Sequence, residues 1–468
     1  MIWINIDRTK NISLTKQIFE QLRSKILKKE LTPGEKLPSS RKLSSELKVS
    51  RNIILEVYDQ LLAEGYLDTR KGSGTYIAKG TFLEKYTGLY DYNAEEYFNQ
   101  KIEQADNKII KFEGGVPDLK YFPKITWAKL LKEASQDMSE KHLDYPEIKG
   151  SYQLRTVLAK YLLRTKGIVC NPDQVIILSG SIHGFFILGE LFKEINNKII
   201  IEDPSYNGIY NILNKLKLDL IPVPIDEMGI NTNFIQKNTK ASCIIVTPSH
   251  QFPSGSVLPI QRRIKLIEFA RKTKTYIIEN DYDSEFRYTT PPISSLQLLD
   301  PNYVIHIGTF SESLFPSLRI GYMVLPVELI NKVCKIIAIY GLYTSTIKQL
   351  VLSNFISKGY LERHIVKMKK KYEIKNKFIK VILKNEFGRL VKISGDSTGL
   401  YVVVEFKNIK LNKKIFDKIY KYNVEVYPVK NYSILNKSYN NKILLGYGNL
   451  SKTNIKEGIK RIKKALFS

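Results

Sequence analysis

Residues 38–51 read Pro38-Ser39-Ser40-Arg41-Lys42-Leu43-Ser44-Ser45-Glu46-Leu47-Lys48-Val49-Ser50-Arg51, and this stretch decides the N-terminal fold. Ser39 and Ser40 are cap candidates, because a serine oxygen can take a free N–H of a helix's first turn. The helix they open is short and buries Leu43 and Leu47. Lys48-Val49-Ser50 then leaves only three residues to turn the chain. Ser50 can cap a further helix with an apolar face of Ile54, Val57 and Leu61 and a stop at Glu64-Gly65. Two helices joined by so short a turn form a helix-turn-helix. Upstream, Ile18, Leu22 and Ile26, with Phe19 and Leu27 beside them, mark an amphipathic helix from Ser13 that ends at Thr32-Pro33-Gly34. Downstream, Tyr66 to Thr69 and Thr75 to Ala78 read as strands flanking Arg70-Lys71-Gly72-Ser73-Gly74, a glycine-rich hairpin tip with two cations.

The run Pro38 to Leu43, then Val49-Ser50-Arg51, Leu62-Ala63-Glu64-Gly65-Tyr66 and Gly72-Ser73-Gly74-Thr75-Tyr76, resembles the winged helix-turn-helix of GntR-type transcription regulators. The resemblance implies a double-stranded operator as partner. Helix N-termini and cations would seat phosphates, the third helix would lie in the major groove, and the wing tip would reach the neighbouring backbone or minor groove. The candidate contacts are Arg41, Lys42, Ser50, Arg51, Asn52, Arg70, Lys71 and Gly72, with Arg51 or Asn52 expected at base edges.

The whole chain has 468 residues and a net charge of +27, with 43% hydrophobic and 25% charged residues, the composition of a folded globular protein with room for several domains. The charge alone does not locate the partner: residues 1–79 hold fifteen basic and nine acidic side chains, close to their proportional share. Much of the excess lies in lysine-rich helices such as Val366 to Lys384, where solvated faces account for it. Cys170, Cys243 and Cys334 fall in no CxxC spacing, so neither a disulfide framework nor a metal site is expected. Met1 to Lys10 lacks a signal-peptide core, and the apolar stretch Ile336 to Leu342 falls far short of a membrane span, so a reduced, cytoplasmic setting is expected. The expected domains are a winged helix-turn-helix over 1–79, a polar, tyrosine-rich linker over 80–110 with at most a short helix, and a large domain over 111–468.

Beyond the linker, apolar strands alternate with amphipathic helices. Val175 to Leu178, Lys198 to Ile201, Leu220 to Pro224, Cys243 to Val246, Tyr276 to Ile278 and Tyr303 to Ile307 are apolar on consecutive positions, as strands covered on both faces must be. The pattern predicts an α/β domain around a mostly parallel sheet. Gly359 to Lys384, Leu400 to Phe406 and Asn454 to Leu466 predict a small C-terminal α+β subdomain.

Along this domain stand Gly115-Val116-Pro117-Asp118, Leu178-Ser179-Gly180-Ser181, Glu202-Asp203-Pro204-Ser205-Tyr206, Thr247-Pro248-Ser249-His250-Gln251-Phe252-Pro253-Ser254-Gly255, Glu279-Asn280-Asp281-Tyr282 and Gly308-Thr309-Phe310-Ser311-Glu312-Ser313-Leu314 through Arg319-Ile320-Gly321-Tyr322. In this order they resemble the fold type I aminotransferases that bind pyridoxal phosphate, and a winged helix ahead of such a domain resembles the MocR subgroup of GntR-type regulators. The resemblance implies a phosphate cup of Ser181, Ile182, Ser311 and Arg319, ring stacking by Tyr206, a contact from Tyr282 to the ring hydroxyl, and Tyr145 supplied by the partner of a homodimer.

Three departures bear on the chemistry. The family's Schiff-base lysine is expected where Glu312 stands, and no lysine occurs from Thr275 to Asn331. The residue facing the pyridine nitrogen is Asn280, or Asp281 if the match shifts by one. No arginine for a substrate carboxylate occurs in Lys442 to Tyr447. A carboxylate some 4–6 Å from a phosphate or ring oxyanion costs on the order of 3–4 kcal/mol per pair at an effective dielectric of about 20. The sequence therefore predicts a transcription regulator without transaminase activity. Its large domain dimerises and either holds pyridoxal phosphate or another small anionic effector noncovalently, or serves as a ligand-free scaffold.

Overall fold

The computed structural model describes residues 3–9, 12–83, 109–288, 291–395, 397–435 and 439–468, and these form two compact units, 1–106 and 107–468. In the first, helices Leu14–Leu27, Ser40–Leu47 and Arg51–Ala63 close over Ile18, Leu22, Ile26, Leu43, Ile54, Val57 and Leu61, all buried. Each helix starts at a serine whose hydroxyl accepts a first-turn N–H: Ser13 from Lys16, Ser39 from Lys42 and Ser50 from Ile53. Between the second and third helices Lys48 takes a left-handed conformation, which reverses the chain within three residues. Strands β1 (Leu67–Arg70) and β2 (Gly74–Ile77) pair antiparallel, one residue displaced from the expected spans, and pin Leu67 and Ile77 under the helices.

The expected linker shrinks at both ends. The Leu83 N–H donates to the Leu27 carbonyl, and Lys29 lies over the Phe82 ring, so the chain stays on the first unit beyond residue 79. Strand β3 (Ile110–Lys111) already belongs to the second unit, paired in parallel with β14 (Val424–Glu425). The short helix allowed in the linker falls outside the described residues.

The second unit is built on an eight-stranded sheet. Its strands are β4 (Val175–Leu178), β5 (Lys198–Asp203), β6 (Asp219–Asp226), β7 (Gly229–Ile230), β8 (Cys243–Val246), β9 (Tyr276–Asp281), β10 (Val304–Thr309) and β11 (Gly321–Val324), in the order β4-β11-β10-β9-β8-β5-β6-β7. The central pairs are parallel, while β11 runs against both β10 and β4. Both faces are covered. Ile176 and Leu178 enter one core with Ile305 and Ile307, whereas Val175 and Ile177 enter another with Tyr322 and Val324. A four-stranded antiparallel sheet of β12 (Val391–Ser394), β13 (Tyr401–Phe406), β15 (Tyr427–Pro428) and β16 (Lys442–Gly446) forms the C-terminal subdomain, backed by helices Tyr360–Phe387 and Lys452–Phe467. Two strands of the large sheet, β7 and β11, are absent from the sequence reading, in which Gly321 and Tyr322 of β11 belong only to a motif; β12, β15 and β16 of the smaller sheet are absent from it as well.

Beside the C-terminal end of β9 lies a buried ion cluster. Lys166, the last residue of helix Tyr152–Lys166, places Nζ 2.6 Å from Asp281 Oδ2, 2.9 Å from Glu285 Oε1 and 2.6 Å from Ser284 Oγ. Burial would pull the lysine down, but Asp281 and Glu285 outweigh it and hold the ammonium well above its usual range. Removing one member of such a cluster leaves uncompensated buried charge. Lys166→Ala should therefore destabilise the large unit by about 3–5 kcal/mol. Urea unfolding followed by Trp127 fluorescence, with Trp3 replaced by phenylalanine, checks this, and an unchanged midpoint would refute it.

Candidate functional site

The N-terminal surface gathers the expected cations where two helices begin. Arg51 Nε donates to Ser40 Oγ at 3.3 Å, tying the start of the third helix to the start of the second. Neither helix carries an acid in its first turn, so beyond the N–H each serine cap takes, the positive end of each helix dipole meets no carboxylate and favours an anion. Arg41, Lys42, Ser50, Arg51 and Asn52 are all exposed. At the wing, Arg70 lies 4.3 Å from the centre of the Tyr76 ring, which stiffens its stem, while Lys71 and Gly72 form the exposed tip. Gly72 has φ +75°, a left-handed conformation a side chain would strain. Leu55 was not foreseen: it is exposed one turn along from Arg51 and Asn52, an apolar group on an otherwise polar face.

In the large unit, a cavity of about 320 Å³ opens at the ends of β9 and β10. It is lined by Ser181, Ile182, Tyr206, Asn280, Tyr282, Ser311, Glu312 and Arg319, which the sequence had grouped. Glu113, Phe252, Tyr427 and Tyr432 also line it and were not foreseen. Side chains alternate along a strand, so Asn280 faces the cavity while Asp281 turns away to Lys166 and Ser284. The one-residue shift that would put Asp281 against a ligand is not realised. Tyr145 does not line this chain's own cavity and is 88% exposed.

One end of the cavity is shaped for an anion. Helix Ser181–Ile195 begins there without a side-chain cap or an acid in its first turn. Gly180 has φ +91°, a left-handed conformation that favours glycine, and a Cβ on it would lie 3.0 Å from Arg319 Nη2 and crowd the guanidinium at the helix start. Arg319 Nη2 donates to the Ser179 carbonyl at 2.9 Å while the side chain remains exposed. Burial, and then Arg319, lower His183 to about 4, so it adds no charge; its Nδ1 accepts the Ser179 N–H. Thr309 Oγ1 donates to Ser311 Oγ and accepts the Ser311 N–H, which leaves the Ser311 hydroxyl hydrogen for a ligand.

The other groups are held less openly. Tyr282 Oη lies 3.0 Å from His250 Nδ1 and 3.0 Å from Tyr401 Oη, and His250 is paired with Asp283 at 2.8 Å. The Tyr206 ring meets Phe252 edge-on at 5.8 Å. Glu312 Oε2 is buried without a hydrogen-bond partner, and burial, reinforced by Asp283, pushes this carboxyl well above the usual carboxylate range. Among the described residues no lysine lines the cavity. Pyridoxal phosphate, which the fold implies, meets a fitting phosphate cup but no amine for its aldehyde, so the residues do not fit its covalent form. In the segment Lys442 to Tyr447, Leu444 is fully buried and packs where a Cβ on Gly114 would be 2.8 Å away.

An acid with a raised folded-state pKa favours folding only while protonated, so its contribution is lost as pH climbs above the ordinary carboxylate range. Glu312→Gln should accordingly melt at a higher temperature than the parent at pH 8, with the gap closing towards about pH 5. Equal melting curves at pH 8 would show that the carboxyl ionises there without cost.

Comparison with known proteins matches residues 14–77 to the family described as bacterial regulatory proteins, gntR family, and residues 107–462 to aminotransferase class I and II. The chain is 30% identical over 475 residues to a probable rhizopine catabolism regulatory protein, MocR, of Rhizobium meliloti, covering 99% of this chain and 96% of that one. It is 32% identical over 360 residues to the pyridoxine biosynthesis transcriptional regulator PdxR of Corynebacterium glutamicum, covering 77% and 76%. Among solved structures, the kynurenine aminotransferase of Pyrococcus horikoshii superposes with a TM-score of 0.71 at 26% identity, over 80% of this chain and 98% of that one. Among the described residues no helix is long and apolar enough to cross a membrane. With a GntR helix-turn-helix at one end and an aminotransferase fold over the rest, the chain belongs to the MocR-type GntR family of transcription regulators.

Proposed function

We propose that this transcription regulator binds operator DNA as a homodimer and uses its aminotransferase-like unit as a ligand-responsive scaffold without transaminase turnover. The observation that carries the second half is Glu312: a carboxylic acid stands in the cavity where Schiff-base chemistry needs an amine, and among the described residues no lysine lines the space around it. Asn280 adds to this, since an amide cannot hold a ring nitrogen protonated as a carboxylate does. Ser181, Ile182, Ser311 and Arg319, the residues read as a phosphate cup, line one open cavity, which supports retained binding of a small anion over a collapsed remnant.

The first half rests on the exposed cations at the two helix starts and the wing. Arg41, Lys42, Ser50, Arg70, Lys71 and Gly72 would seat phosphates, and Arg51 and Asn52 would reach base edges, with Leu55 available to a thymine methyl group. Dimerisation is supported by large apolar side chains left in solvent on the second unit: Ile125 is 89% exposed, Leu143 74% and Tyr145 88%. In a dimer Tyr145 would be contributed to the partner's cavity. A ligand acts on such a protein by binding one arrangement of the dimer better than another.

Two measurements test this. Arg51→Ala should weaken operator binding about tenfold to a hundredfold in gel shifts, a loss of roughly 1–3 kcal/mol, with thermal unfolding unchanged; unaltered shifts would remove Arg51 from the interface. Incubation with pyridoxal 5′-phosphate should give no aldimine absorption attributable to the cavity. A borohydride-fixed pyridoxyl adduct on a residue of the cavity would overturn the noncatalytic reading.

A further inference from the structure

The cavity keeps its anion cup but reverses the polarity of its opposite wall. In a covalent site the protein brings a nucleophilic amine and the ligand an electrophilic carbonyl. Here the protein brings a carboxyl: Glu312 Oε2 is buried and unpartnered, its Oε1 would lie 3.7 Å from a Cβ on Gly115, and Glu113 joins it in the lining. Beside a carbonyl oxygen this wall offers at most one weak bond from a protonated acid. Beside a ligand ammonium it forms a charge-assisted pair, the stronger class of hydrogen bond.

We propose that the cavity selects a planar aromatic phosphate monoester bearing a primary amine, the aminomethyl form of the fold's cofactor, with Arg319 and the start of helix Ser181–Ile195 taking the phosphate and Glu312 taking the ammonium. This deepens the reading above, on which it rests: the cup binds an anion and no covalent anchor exists. No bond forms or breaks. The ligand's two charged ends match Arg319 and Glu312, and the remaining contacts are suited to its ring. Tyr206, held edge-on to Phe252, provides an aromatic face. Asn280 offers a neutral amide whose Nδ2 makes a marginal 3.5 Å approach to Thr247 Oγ1, and such an amide can donate to an unprotonated ring nitrogen. A ligand ammonium also gives the Glu312 carboxyl, whose Oε2 is buried without a partner in the free protein, an opposite charge to meet.

Calorimetric titration of the full chain with pyridoxamine 5′-phosphate, pyridoxine 5′-phosphate, pyridoxal 5′-phosphate and inorganic phosphate tests this. The first two have the same shape and differ at an ammonium against a hydroxyl. The amine should bind at least tenfold more tightly than the alcohol or the aldehyde, and Glu312→Gln, nearly isosteric, should remove that preference while leaving inorganic phosphate binding unchanged. Arg319→Ala should weaken all four. Equal binding of the three esters, or a preference that survives in Glu312→Gln, overturns the proposal while the anion cup stands. Failure of every phosphate compound, inorganic phosphate included, overturns the cup and the proposal together.

Discussion

The alternation of side chains along β9 is the constraint on which the large unit's arrangement depends. Because successive residues point to opposite faces of the sheet, Asn280 and Asp281 cannot serve the same space. One faces the cavity and the other is committed to Lys166, in a cluster that includes Ser284 and Glu285. The same strand supplies Glu279, whose carboxylate accepts hydrogen bonds from Ser295 and from the backbone of Leu296 and Gln297 and meets His306 Nδ1 at 3.1 Å. Three consecutive polar residues at a buried strand end are tolerable only when each has partners, and here the partners come from helices and loops far apart in sequence. The cavity floor is thus fixed by a network that has nothing to do with ligand binding.

That network was beyond the reach of sequence reading. Lys166 precedes Asp281 by more than a hundred positions, and nothing in its surroundings distinguishes a buried lysine from the many solvated ones in so basic a chain. What was legible had local grammar. Ser39, Ser50 and the three-residue turn between two helices follow from capping chemistry. The doubly buried strands announced themselves as unbroken apolar runs, although β5, β6 and β9 extend further than those runs because their ends carry the polar residues Asp203, Asp226 and Asp281. The cavity residues of the quoted motifs do line one space. Tyr427 and Tyr432, which close it from the C-terminal subdomain, sit in no motif and reach the site only through the packing of β15 against β16. Leu55 was missed for another reason: it lies outside the apolar stripe of Ile54, Val57 and Leu61 that the sequence assigns to the core, and the contacts expected on that helix were polar and charged side chains alone.

Glu312 illustrates how a site changes purpose without changing shape. The backbone around it keeps the phosphate-facing groups in place, since Arg319, Ser311 and the start of helix Ser181–Ile195 are positioned by β10, β11 and their connections rather than by the residue at 312. Exchanging one side chain for another there alters what the far wall of the cavity wants from a ligand, amine donor or amine acceptor, and leaves the rest of the enclosure intact. Function in such a fold is carried by the site and not by the architecture.

The contact between Gly180 and Arg319 has a consequence of its own. On the proposed reading, response to an anion leans on a missing methyl group: a side chain at 180 would crowd the guanidinium at 3.0 Å and strain a backbone held at φ +91°, and a single-base change in the codon suffices to supply one. A regulator of the proposed kind would then go deaf to its signal in one mutational step while its helix-turn-helix, which forms a compact unit of its own, is left untouched. Such a lineage would hold its genes in one fixed state and could recover responsiveness by simple reversion.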